Sequence, residues 1–277
     1  MISTLSRVSK TPAAATATAS LARFGNQLPR SRQLHELAPL KFPVENGLLP
    51  LFSSSTLSFL HNTYQQSLIA NINRLTADTQ LEEYPVFRIM LHTAPQPRRA
   101  ALFNNAAQAW NYGFFLNTLK PNKTGADMAT AAANAPNFAI ERRIAEDFGS
   151  FETFKKAFGE RAAQLNGSGW VWLVMDNNKK LHIMTTYNAG NPKTSGKLGN
   201  EVQAKSQSKP KASLTLPYVP EVLPTAGVAP GTYEPILALS MWEHAYLGDH
   251  GLDKAKYVNS FWKVVDWDVV HKRIFRK

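Results

Sequence analysis

The hydrophobic pattern of this chain changes period near residue 167. Upstream, apolar residues recur at helical spacing. Leu57, Leu60, Tyr64, Leu68 and Ile72 line one face of a run from Thr56 to Leu75, and Ser53-Ser54-Ser55 offers an N-cap before it. Arg99 to Leu119 is a second run, rich in Ala and aromatics and stopped by PNKTG at 121–125. Between the two, residues 76–98 are broken by Pro85, Pro95 and Pro97. ERRIAEDF (141–148) and SFETFKKAFGERAAQL (150–165) are again helical, with Ser150 and Thr153 giving a partial capping box. Downstream, WVWLVM (170–175) and KLHIMTTY (180–187) are short β-prone runs separated like a hairpin. ILALSM (236–241) is a third strand candidate, and a helical pattern returns over 257–275. Helices, then a hairpin, one more strand and a closing helical region confine the chain to an α+β architecture.

Charge separates this chain from an ordinary globular mix. Thirty-one Lys and Arg against 20 Asp and Glu give a net charge of +11, an excess that favours a polyanionic partner, nucleic acid or an anionic surface. The absence of cysteine excludes disulfides, thiolate metal sites and cysteine nucleophiles. No apolar run approaches the ~18–20 residues of a membrane span, so a soluble protein without a membrane partner is expected. The first 35 residues hold Arg7, Lys10, Arg23, Arg30 and Arg32 and no acid, among abundant Ser, Thr and Ala. That composition matches a mitochondrial transit peptide, with a disordered basic tail as the alternative. Residues 191–234 are Pro- and Gly-rich and carry Lys193, Lys197, Lys205, Lys209 and Lys211, and read as a long loop or insertion. The expected organisation is a leader (1–35), a helical hairpin (36–125) and an α/β domain (126–277) interrupted at 191–234.

Five words then fall in order: NNAAQAWNYGFF (104–115), SFETFKKAF (150–158), GSGWVWLV (167–174), WEHAY (242–246) and FWKVVDWDVV (261–270). With HELAPLKFP (35–43), they resemble the iron/manganese superoxide dismutase family. The resemblance implies an N-terminal helical hairpin followed by an α/β domain with a three-stranded antiparallel sheet. It also implies a metal held by three histidines and one aspartate. In this sequence those ligand positions fall on Leu60, Tyr112, Ser240 and His244, so only the last His is kept. His61 adjoins Leu60, but one helical step turns a side chain about 100° away. Tyrosinate can bind ferric iron, which leaves Tyr112 chemically open. The family's second-sphere tyrosine falls on Leu68, and its glutamine, in the iron-type position, is kept as Gln108. Gln108 and His244 can hold each other or a water, but not a redox metal tightly. No bound metal or other cofactor is expected.

The remaining histidines, His92, His182, His250 and His271, have no metal-ligand spacing, and Ser168 in GSG lacks the glycine of a nucleophile elbow. In the resembled family, the Glu of WEH reaches the ligand His across the dimer interface, and Glu243 and His244 preserve that pair. A dismutase body without its ligands, with a transit-like leader and a basic excess, is similar to the metal-free dismutase-like proteins of the fungal mitochondrial ribosomal small subunit, thought to pair as heterodimers. The resemblance implies a catalytically inactive matrix scaffold contacting small-subunit rRNA and ribosomal proteins and paired with a second dismutase-like protein. The competing reading is a divergent mitochondrial dismutase with rearranged ligands. Candidate RNA contacts are Lys193, Lys197, Lys205, Lys209 and Lys211, the tail Lys272, Arg273, Arg276 and Lys277, and a patch of Arg98 and Arg99 with Arg142 and Arg143. Such contacts address phosphates and carry no sequence information.

Overall fold

The computed structural model describes residues 35–122, 134–194 and 233–276, within a compact unit spanning Gln33–Lys277. Ser53 starts the first helix, its hydroxyl accepting from the Thr56 N–H at 3.2 Å. This helix, α1, is α-helical over Ser54–Ser58, widens to a π-helix over Phe59–Gln65, and is α-helical again over Gln66–Thr76. The stretch 76–98 that prolines break in the sequence contains a further helix, α2, Val86–Thr93. Pro85 sits at the N-cap of α2 and Pro95 lies just beyond its end, so the prolines bound the helix and do not interrupt it. α3 spans Ala100–Leu116 and packs against both α1 and α2.

Two short helices follow, α4 (Phe138–Phe148) and α5 (Phe151–Gln164). Asn137 caps α4 by accepting from the Ile140 N–H, and Ser150 caps α5 by accepting from the Thr153 N–H. The hairpin is β1 (Gly169–Met175) and β2 (Leu181–Tyr187), and the third strand is β3 (Glu234–Ser240). The sheet is antiparallel in the order β2-β1-β3, with a register irregularity at Leu173/Val174 against β3. Every residue of the central β1 is buried, which accounts for its unbroken apolar run. Gly169 opens β1 because a Cβ there would lie 2.4 Å from the Thr186 carbonyl oxygen.

The chain then enters α6 (Glu243–His250), α7 (Lys254–Trp262) and α8 (Trp267–Ile274). The closing region read as one helical stretch is therefore two helices. They break where Lys120 N–H donates to Val264 and Asp266 N–H donates to Thr118, tying the joint to the end of α3. The insertion expected at 191–234 is also shorter at both edges. Asn191 and Thr194 are buried, and Glu234 is the first residue of β3. Asn191 donates to Asn111 on α3 at 2.6 Å, and Asn111 donates to the Gly190 carbonyl at 3.1 Å, which pins this segment to the core. The leader, the residues 195–232, and with them Lys197, Lys205, Lys209 and Lys211, lie outside the described residues, as does Lys277.

One apolar core runs from α1 through α3 to the sheet and α5 to α8, built around Phe115, Phe154, Phe158, Trp170, Trp172 and Phe261, all fully buried. Tyr257 shares this core, and its hydroxyl has no hydrogen-bond partner. A buried unpaired hydroxyl carries a desolvation penalty that phenylalanine avoids at the same shape. Tyr257→Phe is expected to raise unfolding stability by about 1 kcal/mol in a urea titration. A loss of similar size would show that the hydroxyl is satisfied in solution.

Candidate functional site

The π-helical turn of α1 decides which side chains meet behind α6. Its i→i+5 hydrogen bonding adds a residue to the turn. Leu60 points into the core, fully buried, while His61 turns to the N-terminal segment. There the His61 Nε2–H donates to the Ala38 carbonyl at 3.0 Å and Nδ1 meets the Asn62 side chain at 2.8 Å. His61 therefore does not replace Leu60 as a donor to the pocket. The same turn delivers Tyr64, which the sequence reading passed over as a core position. Its ring centroid lies 4.5 Å from that of His244 and 5.2 Å from that of Tyr112.

Tyr112 is the centre of the cluster. It projects from α3 and is fully buried, with its hydroxyl 2.7 Å from His244 Nε2 and 3.1 Å from Ser240 Oγ. Burial lowers the His244 pKa, partly offset by the Glu243 charge, so its imidazole is neutral at pH 7. Burial holds the Tyr112 hydroxyl well above the usual phenol range and pushes Tyr64 up to about 12. Both are phenols. The consistent proton arrangement is Ser240 donating to Tyr112 and Tyr112 donating to His244 Nε2. Tyr112 and Trp170 pack edge to face at 4.9 Å, which fixes the phenol from the sheet side.

This donor set does not fit an iron or manganese ion. Leu60 offers no donor, Ser240 is a neutral hydroxyl, and the Tyr112 hydroxyl is already bonded to both Ser240 and His244. The Nε2 of the single histidine is already engaged by that phenol. Among the described residues there is no group of three or more His, Asp or Glu placed to hold a metal. Gln108 lies one turn before Tyr112 on α3, buried, and neither of its amide atoms has a protein partner. Of the two arrangements open to Gln108 and His244 from sequence, each other or a water, the first is not seen, because His244 Nε2 bonds the Tyr112 hydroxyl. Trp242 Nε1, two residues before His244, is buried and unpaired as well.

Beside the cluster, Glu243 begins α6 and accepts from the Ser168 hydroxyl. Burial raises its pKa, but the Ser168 bond, its own backbone N–H and the charges of His244 and Lys254 outweigh this and leave the carboxyl below its usual range. Around His244 the surface is apolar. Phe59 lies 6.0 Å from it, ring to ring, and both Phe59 and Leu247 are 43% exposed.

The proposed RNA contacts separate into usable and engaged groups. Arg273 is partly buried and its guanidinium is engaged within the protein. It donates to Thr118 Oγ1 at 2.7 Å and to the Ile236 carbonyl at 2.8 Å, and its guanidinium lies 3.7 Å from the Phe114 ring centroid. Burial lowers its pKa to about 10, so it remains charged but faces inward. Lys193 is paired with Glu234, and Arg142 and Arg143 pair along α4 with Glu146 and Asp147. Lys272 and Arg276 are exposed, as are Arg98 and Arg99. Only 20 of the 31 basic residues, but 17 of the 20 acids, lie among the described residues, so the described body is close to neutral. The helices carry no membrane signature either, since none among the described residues is long and apolar enough to cross a bilayer.

The sequence matches that of known proteins. The family model for the alpha-hairpin domain of iron/manganese superoxide dismutases matches residues 34–120. The model for their C-terminal domain matches 136–202 and 222–273. An iron superoxide dismutase of Coxiella burnetii is 33% identical over 86% of this chain and 96% of its own length. One of Synechococcus elongatus is 33% identical over 84% of this chain and 94% of its own. The small ribosomal subunit protein mS43 of Schizosaccharomyces pombe is 31% identical over 83% of this chain and 81% of its own.

Two measurements test the cluster. Tyr112→Phe leaves His244 Nε2 and Ser240 without their partner and is expected to cost about 1–3 kcal/mol in urea unfolding, despite keeping the ring. A neutral result would show that the hydroxyl bonds contribute nothing. Second, burial lowers the pKa of His244 and of His35 in the folded chain, so the unfolded chain takes up protons first. Stability is then full above the ordinary value of 6.5 and falls as the pH drops through it toward the lowered folded values. The urea midpoint should be lower at pH 5.5 than at 7.5, with a smaller drop in His244→Gln. Equal midpoints would contradict the assignment.

Proposed function

The chain belongs to the iron/manganese superoxide dismutase family, and we propose that within it this protein is a structural component of the mitochondrial small ribosomal subunit, a catalytically inactive scaffold that supports translation. The observation that carries this reading is the Tyr112–His244 hydrogen bond, which gives the one retained donor nitrogen to a neighbouring phenol. The relative named as a ribosomal protein supports the same assignment. So does the placement of the basic excess. The leader and the segment after Thr194 contribute Lys and Arg to the chain far out of proportion to their acids. Such segments gain affinity for rRNA through counterion release. On this reading residues 1–35 are the transit peptide and the protein resides in the matrix.

The apolar surface around His244 is the proposed seat of a second dismutase-like chain. Glu243 and the free Nδ1 edge of His244 flank it, and Phe59 and Leu247 supply exposed apolar area. A heterodimer allows the partner to differ at these positions without the self-complementarity that an identical pair requires.

A divergent dismutase with rearranged ligands is the second reading, favoured by iron superoxide dismutases at similar identity. It requires Tyr112 to give up its hydrogen bonds to His244 and Ser240 and ligate as the phenolate.

Gradient sedimentation of a mitochondrial lysate tests the proposal. The protein is expected to migrate with the small subunit, and migration in the light fractions alone would contradict it. Phe59→Asp with Leu247→Asp, both at exposed positions, is expected to abolish pairing with the second dismutase-like chain while leaving the far-UV spectrum unchanged. Retained pairing in co-purification would place the interface elsewhere.

A further inference from the structure

A basic groove between α5 and α7 lies apart from the His244 cluster and from the segments in which the sequence suggested RNA contacts. It is a cavity of about 320 Å³ lined by Lys155, Lys156, Lys254, Asn259, Trp262 and Glu152. That volume is within the range of small-molecule and cofactor sites. Glu152 is its one lining acid, and the Lys155 ammonium, 2.8 Å away, neutralises it. The charge open to a ligand therefore belongs to Lys156, exposed and without a partner among the described residues, and to Lys254, which shares its field with Glu243 at the start of α6. The Lys254 ammonium donates one hydrogen bond, to the Leu165 carbonyl at 2.8 Å, which holds it at the rim with two donors remaining. Trp262 is half-buried at the groove, its ring fixed from behind by parallel stacking on Trp267 and by edge contacts to Phe154 and Phe158. Asn259, one turn before Trp262 on α7, adds an amide with both a donor and an acceptor.

We propose that this groove binds a nucleotide unit of single-stranded RNA, with Lys156 and Lys254 on the phosphate, Trp262 against the base and Asn259 on the base edge or ribose. Cations beside a rigid aromatic side chain are the combination by which single strands are held without sequence reading. An acidic peptide would use the lysines alone and leave the amide and the indole without a role. The inference rests on the ribosomal reading for its biological setting, but the groove's chemistry is tested separately.

The test is fluorescence anisotropy of a labelled oligouridylate decamer with the purified full chain, comparing wild type, Lys156→Glu and Lys156→Arg. Lys156 makes no hydrogen bond or ion pair among the described residues, and a far-UV spectrum unchanged in Lys156→Glu checks that the fold is kept. Lys156→Glu is expected to weaken binding about fivefold near 0.1 M salt and to reduce the salt slope by about 0.7, with Lys156→Arg close to wild type. Polyglutamate should not displace the RNA. Unchanged affinity in Lys156→Glu, or displacement by polyglutamate as potent as by unlabelled RNA, would overturn the groove assignment. Neither of those results touches the ribosomal reading, which falls instead if the chain sediments free of the small subunit while the groove variants behave as expected.

Discussion

The hydrogen bond from Tyr112 to His244 organises this protein. It joins the second long helix of the hairpin to the helix that follows the sheet, across 132 positions of sequence, at 2.7 Å inside the core. Ser240, at the end of β3, completes it, so the bond touches the hairpin, the sheet and α6 at once. In a metal-dependent relative this is the region that an ion would cross-link. Here a phenol, one imidazole nitrogen and a serine hydroxyl bond one another, and Tyr64 and Trp170 close the cluster with ring contacts. A fully paired polar network in a buried setting is stable and specifies one arrangement, whereas a half-paired one is costly. Gln108 and the Trp242 indole N–H are the two nearby groups that the network leaves out.

The consequence is a division of labour between body and appendages. The core of aromatic side chains spans both halves, and its large apolar area supplies a driving force that brings them together. With the described body close to electroneutral, most of the chain's basic excess lies outside the described residues. Several cations within the body serve the fold instead. Arg273 caps carbonyl and hydroxyl groups at the end of α3 and the start of β3, and Lys120 bridges Asp266 and Asp268 where α7 gives way to α8. Counting basic residues along the sequence does not separate these roles. Their partners do.

The element order and the sheet were legible because period and punctuation agree with the final packing. The 170–175 run has no polar alternation, and it became the strand buried on both faces. Where reading failed, context reversed a local signal. Pro85 and Pro95 looked like breakers and proved to be the boundaries of α2. Asn191 and Thr194 looked like loop residues and are buried because Asn111 and the adjoining backbone satisfy them. Leu60, Tyr112, Ser240 and His244 could be placed by resemblance to a family, but Tyr64 could not be nominated. Its approach to His244 depends on the π-helical turn, and a helix of uniform period gives no hint of that widening. The basic groove was likewise invisible, since Lys155 and Lys254 are a hundred positions apart and meet only when α5 packs on α7.

The central claim is that this protein's own side chains have replaced the ion of its family. Metal analysis by inductively coupled plasma mass spectrometry, on full-length protein produced in cells supplied with both iron and manganese and purified without chelators, tests it most directly. The account predicts only trace iron and manganese, far below one ion per chain. One ion of either metal per chain, lost on substitution of His244, would contradict it.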